Sequence, residues 1–308
     1  MEHFPKTILE FEKCFNSEEA CLQYLYQLRW PDGFICPRCG CHSAWKTRRN
    51  LYRCSGCDYQ VSITAGTIFQ DTRMPLQLWF RAIWHITSQK YGANALGLKR
   101  VLGFGSYRTA WTWLHKLRIA MVRPGRERLS GTIEVDETYL GGQKSGKRDR
   151  GATGKTLVMI ACEIKEKRIG RIRLYRLSDA SSKSLIEAIR ELIEPGSTIY
   201  TDGWSGYEPL KSSEFQHIVI RDSSNLGDDL LPHDHLVAAL LKRWLLGTYQ
   251  GAVGPSHIDY YLDEYTFRFN RRASRSRGKL FYRLLQQAVA IAPVKGSEII
   301  AGTSKHNI

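Results

Sequence analysis

Apolar positions change their period along the chain. Between residues 74 and 89 (MPLQLWFRAIWHITSQ) they fall at Leu76, Trp79, Phe80, Ile83, Trp84 and Ile86. That is close to the i, i+3, i+4, i+7 spacing of an amphipathic helix, with Pro75 near its start. Residues 93–101 repeat the helical spacing and stop at Gly103-Phe104-Gly105. Residues 106–122 resume it, with Trp111, Leu114, Leu117 and Met121 on one face. Two helices joined by a short glycine turn outline a helix-turn-helix, with Tyr107, Arg108 and Thr112 at the exposed start of its second helix. An ordinary helical hairpin fits the same pattern. Residues 123–131 are polar and carry Pro and Gly, the composition of a linker. Beyond them the period drops to two. Residues 132–139 (TIEVDETY) set Ile133 and Val135 on one face and Thr132, Glu134 and Asp136 on the other, a strand with one polar face. Gly141-Gly142 and a basic stretch (Lys144, Lys147, Arg148, Arg150, Lys155) interrupt the pattern. Residues 157–164 and 169–177 read as further strands. Residues 181–193 read as a helix capped by Ser181, with Leu185, Ile186, Ile189 and Leu192 facing a core. Pro195-Gly196 stops it, and residues 197–202 (STIYTD) and 217–220 read as strands again. Helical spacing returns at 257–269 and 280–291. Strands interleaved with helices predict an α/β sheet.

Composition narrows the class. The chain has 308 residues, room for about two domains. Hydrophobic residues are 43% and charged residues 24%, ordinary globular usage that excludes a wholly disordered chain. Lys and Arg number 45 against 30 Asp and Glu, a formal net charge of +15. Such an excess suits a polyanion binder, because each cation set on a phosphate releases condensed counterions. The first residues (MEHFPKTILEFEKCF) hold acidic residues and no apolar core of a secretory signal. No run approaches the ~18 apolar residues of a membrane span. The expectation is a soluble intracellular protein bound to nucleic acid.

Eight cysteines are present, and without a secretory context a disulfide framework is not expected. Four form two knuckles, Cys36-Pro-Arg-Cys39 and Cys54-Ser-Gly-Cys57, separated by 14 residues. A two-residue spacer lets both thiolates of a turn reach one tetrahedral ion, so two such turns close a Cys₄ zinc site. A closed shell leaves no position for water, which makes the Zn²⁺ structural. Buried thiols or a redox pair are the other use of this spacing. Cys41 and His42 sit too close to Cys39 to replace a knuckle neatly.

Two carboxylates carry a second chemical signal. Asp136 and Asp202 each lie on or at the end of a short apolar strand, followed by Glu137-Thr138 and Gly203-Trp204. If those strands are neighbours, the carboxylates repel unless a hard divalent cation sits between them. Two cations ~3.5–4 Å apart would activate an attacking oxygen and stabilise a leaving one in phosphoryl transfer. A plain turn or cap role suits a strand-end Asp as well.

Residues 34–57, Val135-Asp-Glu-Thr-Tyr-Leu-Gly-Gly142, Tyr200-Thr-Asp-Gly-Trp-Ser-Gly-Tyr207, Leu241-Lys-Arg-Trp-Leu-Leu-Gly-Thr248 and residues 261–272 (YLDEYTFRFNRR) together resemble the IS1595 (ISXO2-like) family of bacterial insertion-sequence transposases. The likeness runs from about residue 20 to about 292. It implies a zinc ribbon, a helical DNA-binding segment and an RNase H-like catalytic domain, a mixed sheet flanked by helices. It implies Mg²⁺-dependent cleavage at transposon ends and strand transfer into target DNA. Asp136 matches the first catalytic Asp and Asp202 the second. In relatives with a third glutamate, that residue precedes the Lys-Arg pair by two helical turns. Counting back seven residues from Lys242 lands on His235, within Pro232-His-Asp-His-Leu-Val, on the face of the helix that carries Lys242. A neutral imidazole ligates softer ions than Mg²⁺ and tilts the site toward Mn²⁺. His235 as a simple helix cap, in a decayed site, is the other reading. His233 and Asp234 point elsewhere on the helix.

By the same resemblance Lys242 and Arg243 reach a phosphate or the target strand. Arg268, Arg271, Arg272, Arg275, Arg277 and Lys279, interleaved with Phe267, Phe269 and Asn270, read as a contact to the DNA backbone, which supplies affinity rather than sequence choice. The expected organisation is an N-terminal helical segment (1–30), a zinc ribbon (31–70), a helix-turn-helix-like segment (71–123), an RNase H-like transposase domain (131–292) and a frayed tail (293–308). Expected partners are double-stranded DNA, as insertion-sequence ends and as target, and further copies of the chain when two ends are synapsed. The expected location is the bacterial cytoplasm, at the nucleoid when bound to DNA. Two rivals remain: a transposase-derived DNA binder without catalysis, and a zinc-containing nuclease that cuts without joining.

Overall fold

The computed structural model describes residues 3–141, 155–166, 168–220, 230–251 and 253–302. Gly142, Lys144, Lys147, Arg148 and Arg150 of the basic stretch, and residues 303–308 of the expected tail, lie outside the described residues. The elements in chain order are α1 (Ile8–Cys14), α2 (Glu18–Arg29), β1 (Ala44–Lys46), β2 (Leu51–Cys54), β3 (Gln60–Ser62), α3 (Leu76–Ser88), α4 (Ala95–Leu102) and α5 (Tyr107–Ala120). There follow β4 (Thr132–Leu140), β5 (Thr156–Lys165), β6 (Arg168–Leu177), α6 (Ser182–Leu192), β7 (Thr198–Thr201), β8 (Gln216–Val219), α7 (Pro232–Tyr249), α8 (Ile258–Phe269), α9 (Arg277–Ala290) and α10 (Gly296–Ala301). They form two units, one from Met1–Pro124 with Ser274–Ala301, the other built on Gly125–Ala273.

In the first unit most helices begin on side-chain caps. Thr7, Ser17, Asn94 and Ser106 each accept an N–H from the first turn of α1, α2, α4 and α5. α3 follows Pro75 and has no such cap. The Glu18 carboxylate of α2 substitutes, accepting the N–H groups of Leu76 (2.7 Å) and Gln77 (3.2 Å). Gly103 ends α4 with φ of 68°, the left-handed stop that glycine adopts most readily. β1, β2 and β3 pair antiparallel as a three-stranded ribbon.

Three expectations are corrected here. Trp113, not Trp111, is the buried indole of α5, stacked on Trp79 with ring centroids 3.6 Å apart. The helix expected at 280–291 does not belong with the unit that follows the linker. Phe281 of α9 is fully buried and meets the rings of Phe11, Phe15, Phe80 and Trp84, so it completes the aromatic core of the first unit. The expected tail contains α10, whose Ile299 is fully buried.

The second unit is a five-stranded sheet in the order β6-β5-β4-β7-β8. β4, β5 and β6 run antiparallel as a meander, while β7 pairs parallel with β4 and β8 parallel with β7. α6 connects β6 to β7 and covers one face, where Ile133, Val135, Met159, Ala161 and Ile199 meet Leu185, Ile189 and Leu192. α7 packs on β4 and β5, and α8 on β6. The edge strand β6 is covered at Ile172 by Asn270, whose side chain accepts the Ile172 N–H (2.7 Å) and donates to its carbonyl (3.1 Å).

Candidate active site

The ribbon's four knuckle cysteines converge. Cys36, Cys39, Cys54 and Cys57 Sγ atoms all lie within 4.8 Å of one another. The Cys36–Cys57 and Cys39–Cys54 pairs stand 3.7 and 3.5 Å apart. Tetrahedral Zn–S bonds of about 2.3 Å separate sulfurs by roughly 3.8 Å, so the cluster fits a structural Zn²⁺. Burial pushes the Cys36 thiol up, but the backbone N–H groups of Arg38 and Cys39 and the neighbouring thiols bring it down to about 6, favouring the thiolate that zinc binds. Cys41 stands outside the four, against the Ser43 carbonyl and the Ser55 hydroxyl.

In the second unit the alternation of β4 puts Glu134 and Asp136 on the face opposite Ile133 and Val135. Parallel pairing sets Thr132 beside Thr198, Ile133 beside Ile199 and Glu134 beside Tyr200. Asp202 lies just past the end of β7, close enough to Asp136 for its charge to act on that carboxyl. Burial holds the Asp136 carboxyl above its ordinary value, and the Asp202 charge pushes the same way against an opposing pull from His235. His235 Nε2 lies 3.3 Å from Asp136 Oδ2. Asp202 folds its own turn, its Oδ1 accepting the Trp204 N–H at 3.0 Å.

α7 carries His235 on its first turn, yet its N-cap is Leu231, which offers no side-chain oxygen. Glu134 supplies the missing acceptor. Its Oε2 takes the N–H groups of His233 (3.0 Å) and Asp234 (3.2 Å), and its Oε1 takes His233 Nδ1–H (2.6 Å). Asp234 turns inward and is 1% exposed, so burial holds its carboxyl well above the usual range. His233 is thus held by Glu134, and Asp234 is buried with the Asp136 backbone N–H acting on its carboxyl. Lys242 is exposed two turns along α7, close enough to Asp136 for that charge to raise its pKa against the larger lowering from burial. Arg243 is exposed beside it.

On the other side of the sheet, the Tyr207 hydroxyl donates to Glu137 Oε2 at 2.8 Å, tying the Asp202 motif to the Asp136 motif. Gly206 lets that turn close: a Cβ there would stand 2.5 Å from Trp204 Nε1 and 2.7 Å from Leu185 Cδ1. Glu134, Glu137 and Tyr207 escaped the sequence reading as site residues. The signal for two of them was present, since Glu137 and Tyr207 sit inside the quoted motifs. Glu134 shares the polar strand face with Asp136, but its helix partner is 99 residues away.

The C-terminal basic run divides. Arg268 is ion-paired within α8 to fully buried Glu264 at 2.8 Å. Arg271 lies over the Phe267 ring and bonds the Phe267 carbonyl. Arg272 lies over the Phe269 ring and donates to the Ile169, Gly170 and Phe269 carbonyls. These three are engaged by the fold, and Arg272 is exposed as well. Arg275 and Arg277 are exposed, and Arg108 is exposed at the start of α5.

Among the described residues no helix is long and apolar enough to cross a membrane. Residues 128–270 match the ISXO2-like transposase domain and residues 16–60 the transposase zinc-ribbon domain. A protein in transposable element ISH50 of Halobacterium salinarum is 25% identical over 289 residues, 87% of this chain and 95% of that one. A transposase-like protein of Haemophilus influenzae is 27% identical over 113 residues, 35% of this chain and 88% of that one. Both matched domains, in this order and around these motifs, make the chain a member of the IS1595 (ISXO2-like) transposase family.

Proposed function

We propose that the protein is a DNA transposase of the Asp-Asp-His type, cleaving at insertion-sequence ends and joining the freed 3′-hydroxyl to target DNA. The observation that carries this reading is the meeting of Asp136 and His235, 3.3 Å apart, with the Asp202 charge close enough to act on the Asp136 carboxyl. The strand order, a three-stranded antiparallel meander followed across α6 by two parallel strands, supports an RNase H-like fold. Asp136, Asp202 and His235 would hold the catalytic Mg²⁺ or Mn²⁺. Repulsion between the two carboxylates and the shifted Asp136 carboxyl fit a site completed by a divalent cation. Bound there, such ions supply Lewis-acid activation of the attacking and leaving oxygens.

The remaining work belongs to the chain's own groups. An imidazole at position 235 would offer a ring nitrogen to a cation without adding the negative charge of a carboxylate. Lys242 and Arg243 hold the scissile phosphate or the target strand by charge. Arg108 at the start of α5 contacts the recognised duplex, Arg275 and Arg277 contact the DNA backbone, and in the second unit Arg268, Arg271 and Arg272 add positive charge toward it. Synapsis of two ends calls for at least two copies of the chain, acting on DNA in the bacterial cytoplasm, at the nucleoid. The imidazole in place of a third carboxylate favours one rival, a DNA binder that has lost catalysis.

A single assay separates them. Strand cleavage and joining of an end-bearing duplex, in Mg²⁺ and in Mn²⁺, should fall more than about 100-fold in Asp136→Asn and Asp202→Asn. Parent protein that cleaves with neither ion, or both variants matching the parent, would overturn the catalytic reading. Cleavage without joining would make it a nuclease.

A further inference from the structure

We infer that Glu134 is the positioning residue of the candidate active site, fixing the first turn of α7 so that His235 faces Asp136. The inference rests on the reading of His235 as a metal ligand. It starts from a defect in α7. The helix opens on Leu231 and Pro232 and has no side-chain cap of its own. An uncapped helix end leaves N–H donors unsatisfied, and a terminus without partners frays. Here Glu134 accepts two of those N–H groups, and its second oxygen takes the ring N–H of His233. Three bonds from one carboxylate, 7% exposed, therefore pin both the height and the rotation of the first turn. Glu134 is two residues from Asp136 on the same strand face, and His233 is two residues from His235 on the same helix. One rigid joint thus sets the spacing of the Asp136–His235 pair beside it. Carboxylates that orient ligands in this way change metal affinity by about 10–100-fold when removed.

A structural cap alone would predict something else, and the chain carries its own control. Glu18 caps α3 by the same chemistry in the other unit, two N–H groups to one carboxylate, far in sequence from Asp136 and His235. The test is Mn²⁺ binding to the full-length protein with its zinc retained, read by the loss of the free Mn²⁺ spin-resonance signal, alongside thermal unfolding. Glu134→Ala should weaken Mn²⁺ binding about tenfold. In a His235→Ala background the same change should have no further effect. Glu18→Ala should lower the melting temperature and leave Mn²⁺ binding as in the parent. Glu134→Gln keeps an acceptor for the helix N–H groups without the charge on His233, and should fall between parent and Glu134→Ala. Should Glu134→Ala fail to fold, Glu134→Gln carries the comparison in both backgrounds. Binding equal to the parent, or an equal loss with and without His235, would overturn the inference. His235→Ala that binds Mn²⁺ like the parent would instead overturn the site reading beneath it.

Discussion

Glu163 of β5 shows how single side chains stabilise this sheet, and it titrates in a direction that can be measured. The residue is 1% exposed, and burial alone would raise its carboxyl. Arg171 outweighs that, donating Nε at 3.1 and 3.0 Å and Nη2 at 2.5 Å, helped by the N–H groups of Ser130 and Arg171, each at 3.2 Å. The net result is a carboxyl below its ordinary value. Gly170 makes room for it: a Cβ there would stand 3.2 Å from Oε2. Because the folded pKa lies below the unfolded one, the stabilisation is fully present above the unfolded value of about 4.3 and is lost as pH falls through the lowered folded value. Arg171 is about one-third exposed, so solvent screens the pair. Glu163→Gln should therefore lose about 1–3 kcal/mol at pH 7, measured by urea unfolding. The gap to the parent should narrow as the pH is lowered toward about 2. A gap that stays constant over that range would show that the pair's charge does not act as described.

At the scale of elements, the molecule holds together pieces too small or too poorly capped to stand alone. The ribbon strands have three, four and three residues, short of what an isolated sheet needs. Zinc is the compensating cross-link, so its binding energy is folding energy for this segment. Removing it with a chelator, or by Cys36→Ser, should release about one Zn²⁺ per chain and abolish amide-exchange protection across β1–β3. The strands β4–β6 should keep their protection. Retained zinc in Cys36→Ser would remove Cys36 from the shell. The same scale explains what the sequence disclosed. β4, β6 and α6 were legible because each has a single period and a local start or stop, such as Ser181 before α6. Asp136 and Asp202 stand out in the sequence as carboxylates on or after short apolar strands and His235 by its spacing from Lys242, but the pairing of β4 with β7 joins strands 66 residues apart. Tertiary caps were not legible at all, because Glu134 and Glu18 look like surface carboxylates until a distant helix end arrives. α9 was misassigned for the same reason: its apolar face announces burial, but not that Phe11 and Phe80 are the partners.

For the whole molecule the governing quantity is charge. The chain carries 45 basic and 30 acidic residues, a net charge of +15, of which Arg268, Arg271 and Arg272 are engaged within unit two. Exposed Arg108, Arg243, Arg275 and Arg277 sit on separate elements, so no one helix accounts for the DNA affinity we propose. Such affinity is mostly counterion release, and its logarithm falls linearly with the logarithm of salt, by about 0.9 for each phosphate neutralised. Six to ten contacts would lower binding about 10³–10⁵-fold between 50 and 200 mM salt. Replacing Arg243 or Arg275 by Ala should weaken binding to all duplexes alike and reduce the salt slope by about one, because a phosphate contact carries no sequence information. Arg108→Ala should differ if α5 is a recognition helix, reducing the preference for the terminal repeat over random duplex as well as the affinity. Fluorescence-anisotropy titrations over a salt series, with both duplexes, read all of these. A slope unchanged by Arg243→Ala and Arg275→Ala would move the DNA surface elsewhere. Discrimination untouched by Arg108→Ala would reduce α4 and α5 to an ordinary helical hairpin.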